Sequence, residues 1–276
     1  MDNKKTQAFE RILKIMDELR EQCPWDRKQT IESLRHLTIE ETYELSDAIV
    51  QNDWKNIKEE LGDVLLHIVF YAKIGEEQQQ TDIADIINSL CDKLIARHPH
   101  IYGNTNNDAN LREVQSEDDV KKNWEQLKLK EGRKSVLGGV PNSLPSLIKA
   151  FRIQEKAGQV GFEWDNIEDV WKKVEEEIGE LQVEISANIS ASSVTNQEKI
   201  QSEFGDVMFA LVNYARYLNL DPEYCLELSN QKFLKRFRYI EETANVQGKN
   251  LKDMTLGEMD EIWNEAKDNE KLKTKN

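Results

Sequence analysis

Carboxylates occur twice along this 276-residue chain in one arrangement. Glu40-Glu41-x-x-Glu44 precedes Glu60-Leu61-Gly62-Asp63, and Glu176-Glu177-x-x-Glu180 precedes Glu203-Phe204-Gly205-Asp206. In each of the pairs Glu41/Glu44, Glu60/Asp63, Glu177/Glu180 and Glu203/Asp206, the i, i+3 spacing puts both acids on one face of a helix. Two such faces turned toward each other gather four carboxylates, whose mutual repulsion a bound cation relieves. Oxygen donors without His or Cys select a hard ion, Mg2+ with Mn2+ as a substitute, ahead of Zn2+. Mg2+ is usually shared between carboxylates and substrate phosphates, so the chemistry to expect is phosphate chemistry.

A Glu-rich helix is ordinarily a solvated face, and that reading suits Glu10, Glu18, Glu241 and Glu242. It suits the doubled motif less well. Leu61, Val64, Leu65, Ile68 and Val69 surround one E-x-x-D pair, and Phe204, Val207, Met208, Leu211 and Val212 surround the other. Gly62 and Gly205 within these helices cost about 1 kcal/mol each relative to Ala, which predicts the close approach of another helix or a ligand. The halves also match beyond the acids. Lys93-x-x-x-Arg97 follows the first copy and Lys232-x-x-x-Arg236 the second, with Trp124 and Trp263 each 27 residues beyond the arginine. A duplicated unit is the simplest source of that order. Paired cations at i, i+4 suit phosphates, and a tryptophan can stack on a base, although each is commoner as surface or core.

The remaining motifs exclude more than they assign. His67 falls where the second copy has Ala210, so a packing role is expected for it; His98-Pro99-His100 reads as a helix end without zinc spacing. No P-loop or Rossmann glycine pattern is present, which leaves phosphate handling to metal and side chains. Cys23, Cys91 and Cys225 form no C-x-x-C pair and read as reduced packing residues. With 37 basic and 52 acidic residues the net charge is −15, which disfavours a nucleic acid polymer as partner. No run of about 18 apolar residues suggests a membrane helix, and a cytoplasmic protein without membrane partners is expected.

The elements that must position these acids read as helices throughout, because apolar residues recur at helical spacing and only 5 Pro and 12 Gly interrupt the chain. An all-α fold is expected, as tandem helical bundles: residues 1–130, a linker over 131–146 around Gly138-Gly139-Val140-Pro141, and residues 147–276. The pattern predicts a first helix ending before Cys23, a second from near Thr30, a third from about Trp54 to Ile74, and a fourth around Ile83 to Leu94. In the second half it predicts a helix over Leu147 to Lys156, a turn at Gly161 to Asp165, and a long helix from Ile167. The Ser/Asn-rich stretch from Ser186 to Asn196 reads as a loop.

These residues resemble a known family. The doubled acidic motif, with Cys23-Pro24-Trp25-Asp26 ahead of the first copy, Arg97-His98-Pro99-His100 after it and Val160-Gly161-Phe162-x-Trp164 ahead of the second, looks like the MazG nucleoside triphosphate pyrophosphohydrolases of the all-α NTP pyrophosphatase superfamily. The likeness spans nearly the whole chain. It implies Mg2+-dependent hydrolysis of nucleoside triphosphates, ribo and deoxyribo with broad base tolerance, to monophosphate and pyrophosphate, in a homodimer of helical bundles. By the same resemblance Glu177, Glu180, Glu203 and Asp206 are metal ligands, matched in the first half by Glu41, Glu44, Glu60 and Asp63. Nucleotide contacts fall on Lys173 to Glu177, Lys199 to Ser202, Lys232 to Arg236, and Trp263, and Glu176 is a candidate to orient or deprotonate water. Lys173 and Lys199 each precede an acid by four residues, where the first half has Leu37 and Asn56, so the second half is expected to be the main catalytic unit. A competing expectation is a helical module that senses nucleotides or binds a partner without turnover.

Overall fold

Helix start signals explain where the acid-bearing helices of the first unit begin. The computed structural model describes residues 3–103, 120, 135–191 and 194–273, and every regular element among them is helical. The chain divides into two compact units, Met1–Val120 and Lys121–Asn276. In the first unit, α1 (Asn3–Gln22), α2 (Ile31–Val50), α3 (Trp54–Glu77), α4 (Ile83–Arg97) and the single turn α5 (Pro99–Tyr102) follow in order. Thr30 caps α2 in a reciprocal box with Ser33, and the Asp53 carboxylate accepts the Lys55 and Asn56 amides at the start of α3. Each arrangement satisfies amides that a helix N-terminus otherwise leaves unpaired. Between α2 and α3 the chain turns at Asn52, whose φ of 53° lies in the left-handed region that Asn tolerates.

Met16 from α1, Leu34 from α2, and Val69, Phe70 and Ile74 from α3 are buried together, with Ile12, Leu13, Leu37, Leu66 and Tyr71 packed around them. Burying each large side chain contributes about 1.5–3 kcal/mol, which holds α2 and α3 in a fixed relation. Arg20 ties down the segment that leads into α2. Its Nε donates to Glu77 Oε1 at 2.9 Å, its Nη1 donates to the carbonyls of Asp26 and Gln29, and its guanidinium lies 5.5 Å from the Phe70 ring centroid.

The second unit contains α6 (Ser146–Gln159), α7 (Ile167–Ala191), α8 (Val194–Tyr217), α9 (Pro222–Val246) and α10 (Leu256–Lys273). The turn after α6 needs Gly161, whose φ of +87° is strained for other residues. Arg216 donates to Glu163 Oε2 at 3.0 Å, and Tyr217 donates to the Trp164 carbonyl at 2.5 Å, so the end of α8 fastens the loop leading into α7. Val170, Val174, Val207, Ala210 and Val212 are buried, and Ile240, Ala244, Met254 and Ile262 form a second core with Tyr239, Met259 and Trp263 against it. No helix among the described residues is long and apolar enough to cross a membrane.

One expectation is corrected. Residues 186–191 belong to α7 and 194–196 to α8, so most of the stretch read as a loop is helix. Ser and Asn lower helix propensity by only a few tenths of a kcal/mol each, which is too little to stop a helix already nucleated and packed along its earlier turns. Gly62 and Gly205 meet no other helix within the described chain. A Cβ at either position would meet nothing within 4 Å, so that flank of α3 and of α8 is open. Trp124 lies outside the described residues.

Candidate functional site

Pairing of α7 with α8 brings the acids of the second unit together. Carboxylate oxygens of Glu177 and Glu180 from α7 and Glu203 from α8 all lie within 4.8 Å of one another. Glu177 is only 7% exposed, so its charge is sheltered from water; Glu203 is half-buried and Glu180 exposed. Burial raises the pKa of Glu203, and the charges of Glu180, Asp206, Glu177 and Glu184 raise it further. Asp206 stands outside the 4.8 Å group yet near enough to act on Glu203. Converging, electrostatically frustrated carboxylates with hard oxygen donors fit a divalent cation such as Mg2+.

Cations border this cluster on the α7 side. Lys173 Nζ lies 2.6 Å from Glu177 Oε1 and 2.9 Å from Glu176 Oε1. These two carboxylates, Glu177 first, hold the Lys173 ammonium well above its ordinary pKa. Lys199 on α8 pairs with Glu184 Oε1 at 3.7 Å rather than with Glu203, four residues along its own helix. Glu184 was missed in reading the sequence. Its signal was its place four residues beyond Glu180, one further turn along the same face of α7.

The first unit repeats the acids without the cations. Glu41 and Glu44 of α2 and Glu60 of α3 have oxygens within 4.8 Å of one another, with Asp63 again outside that group. Burial raises the pKa of Glu41, reinforced by Asp63, Glu44, Glu60 and Glu40; burial also raises Glu60, with Glu44 the leading charge. At the positions of Lys173, Lys199 and Glu184 stand Leu37, Asn56 and Ala48. Beside these acids the first unit has a buried polar group of its own. Thr38 Oγ1 is 2.9 Å from His67 Nδ1 and 2.7 Å from the Tyr71 hydroxyl. His67 is 7% exposed, and burial lowers its pKa against the opposing charge of Asp63. That environment agrees with the packing role expected for it.

Lys232, Arg236 and Trp263 belong to α9 and α10. Among the described residues no hydrogen bond or ion pair joins them to the acid cluster. Lys232 is exposed. Arg236 donates through Nε and Nη2 to Glu270 Oε2 at 3.1 and 2.9 Å, and its guanidinium lies 5.4 Å from the Trp263 ring centroid. Trp263 is half-buried, 5.3 Å from Phe233 and packed on the core of α9 and α10.

Comparison with known proteins matches a family model to part of the first unit and relatives to nearly the whole chain. Residues 29–102, which include the first acid set, match the MazG nucleotide pyrophosphohydrolase domain. The chain is 41% identical over 264 residues to the nucleoside triphosphate pyrophosphohydrolase/pyrophosphatase MazG of Thermotoga maritima, covering 94% of this chain and 95% of that one. It is 37% identical over 266 residues to a nucleoside triphosphate pyrophosphohydrolase of Escherichia coli, covering 94% and 97%. It is also 43% identical over 268 residues to the uncharacterized protein YabN of Bacillus subtilis, covering 95% of this chain and 52% of that protein.

Proposed function

The chain belongs to the MazG family of nucleoside triphosphate pyrophosphohydrolases, and from that premise we propose that it hydrolyses nucleoside triphosphates to monophosphate and pyrophosphate with Mg2+. The observation that carries this reading is the convergence of Glu177, Glu180 and Glu203 within 4.8 Å, with Lys173 at their edge. Glu177, Glu180, Glu203 and Asp206 would hold the metal of the second unit, and Glu41, Glu44, Glu60 and Asp63 are their counterparts in the first. Bound Mg2+ supplies charge neutralisation on the triphosphate and acidifies water.

The chain's own residues do the rest. Glu176, 56% exposed and held by Lys173, orients the attacking water and takes its proton. The water oxygen bonds to a phosphorus of the α–β anhydride as the bridging P–O bond breaks, which yields nucleoside monophosphate and pyrophosphate. Lys173, Lys199, Lys232 and Arg236 neutralise the phosphate tail. Trp263 offers the nucleoside a flat aromatic face, which stacks on any base, and this is the basis for broad base tolerance. The second unit is the main catalytic one because only it carries Lys173 and Lys199 beside the acids.

The active form is a homodimer. Leu61, Leu65 and Ile68 on α3 are 40–53% exposed, and Phe204, Met208 and Leu211 at the matching positions of α8 are 43–56% exposed. The same apolar stripe left bare twice, with open space at Gly62 and Gly205, fits helices of a second copy. Incubation with ATP and Mg2+ followed by chromatography tests the activity: AMP and pyrophosphate are expected as the products. ADP and phosphate, or no turnover despite nucleotide binding, would overturn it.

A further inference from the structure

Lys173 sits where a metal ion's charge would act. Its Nζ is 2.6 Å from Glu177 Oε1, closer than to Glu176, and the Glu177 side chain is 10% exposed while that of Lys173 is 35% exposed. Glu177 is at the same time one of the three acids whose oxygens converge within 4.8 Å. An ammonium at that distance and a divalent cation on the same carboxylate would repel each other strongly in so sheltered a place. Either can neutralise Glu177, and each opposes the other. The first unit lacks this competition, because Leu37 packs into the apolar core at the position of Lys173.

We propose that Lys173 is a displaceable counter-ion of the second acid cluster. The inference rests on the metal-dependent reading above and concerns how that same site is regulated. Without metal, Lys173 neutralises Glu177 and quiets the cluster. A divalent cation entering the cluster displaces the ammonium from Glu177, and the freed ammonium turns to the phosphates of the nucleotide. A triphosphate that draws Lys173 away from Glu177 strengthens metal binding in turn, so metal and nucleotide bind with positive, reciprocal coupling. The first cluster, with no lysine to displace, binds metal without that coupling.

Calorimetric titration with Mn2+ alone, in the absence of nucleotide, tests this. The parent is the full chain carrying Glu41→Gln and Glu44→Gln, which silences the first cluster. Lys173→Met in that parent is expected to tighten Mn2+ binding by about five- to tenfold, the scale of one partly sheltered ion pair. Lys172→Met removes an exposed charge one residue away, paired with Asp169 at 2.7 Å, and is expected to change the affinity by less than about twofold. Lys173→Gln serves as a second variant should the methionine disturb folding, which melting curves reveal. Unchanged or weaker Mn2+ binding in both Lys173 variants, or equal tightening by Lys172→Met, would overturn the counter-ion role. Failure of every variant and the parent to bind Mn2+ would instead remove the metal reading on which it rests.

Discussion

Glu203 shows how one residue's surroundings set its chemistry. Burial and the charges of Glu180, Asp206, Glu177 and Glu184 keep its proton on to a higher pH than an ordinary carboxyl, as burial and nearby acids do for Glu41 and Glu60. At acid pH a cation therefore competes with protons for these carboxylates. Mg2+ affinity is expected to fall as the pH drops through these raised values, with protons released on binding in that range; titrations in buffers of different ionisation enthalpy measure both. Glu258 is the opposite case. Its carboxylate accepts from Lys249, from the Thr255 amide and from the Thr255 hydroxyl, and its pKa is lowered to about 2. A lowered folded-state pKa gives stability that is present above the unfolded value of 4.5 and is lost as the pH falls toward about 2. Glu258→Gln should accordingly destabilise the protein at neutral pH, with the gap from wild type closing between pH 4.5 and about 2 in urea unfolding curves.

Helices place the acids, and their start signals can be tested one at a time. Thr30→Ala removes the side-chain acceptor of the box at the head of α2, the helix that carries Glu41 and Glu44. It is expected to cost about 1 kcal/mol, read as a lower urea midpoint at an unchanged slope. Much of this scale was legible in the sequence. Spacing of i, i+3 located the acids on helix faces, and Thr30 and the 161–165 turn fell where the chain breaks. What was not legible depended on partners remote in sequence or on cooperative helix growth. The Arg20–Glu77 pair spans 57 residues, and the Lys199–Glu184 pair joins two helices, so neither leaves a local signal. The stretch from Ser186 has the composition of a loop but is helical because the packed turns of α7 precede it. What approaches Gly62 and Gly205 was not legible either, because nothing within the described chain comes within 4 Å of a Cβ placed there.

At the scale of the whole molecule, the repeated pattern gives two acid clusters and two bare apolar stripes but, among the described residues, lysines paired at the border of the second cluster alone. The stripes make the oligomeric state testable: Phe204→Asp together with Leu61→Asp should shift the protein from dimer to monomer in sedimentation velocity, since a buried, unpaired charge opposes association. The lysines make the division of labour testable. In the proposed reading Lys173 and Lys199, which pair with Glu177 and Glu184, meet triphosphate charge at the second cluster, whereas Leu37 and Asn56 stand at the matching positions of the first. The most direct measurement is the rate of pyrophosphate release from ATP with Mg2+ for Glu203→Gln and Asp206→Asn beside Asp63→Asn. Both second-unit variants are expected to lose about 100-fold or more in rate while Asp63→Asn keeps most of it. Full activity in the second-unit variants with loss in Asp63→Asn would contradict the account.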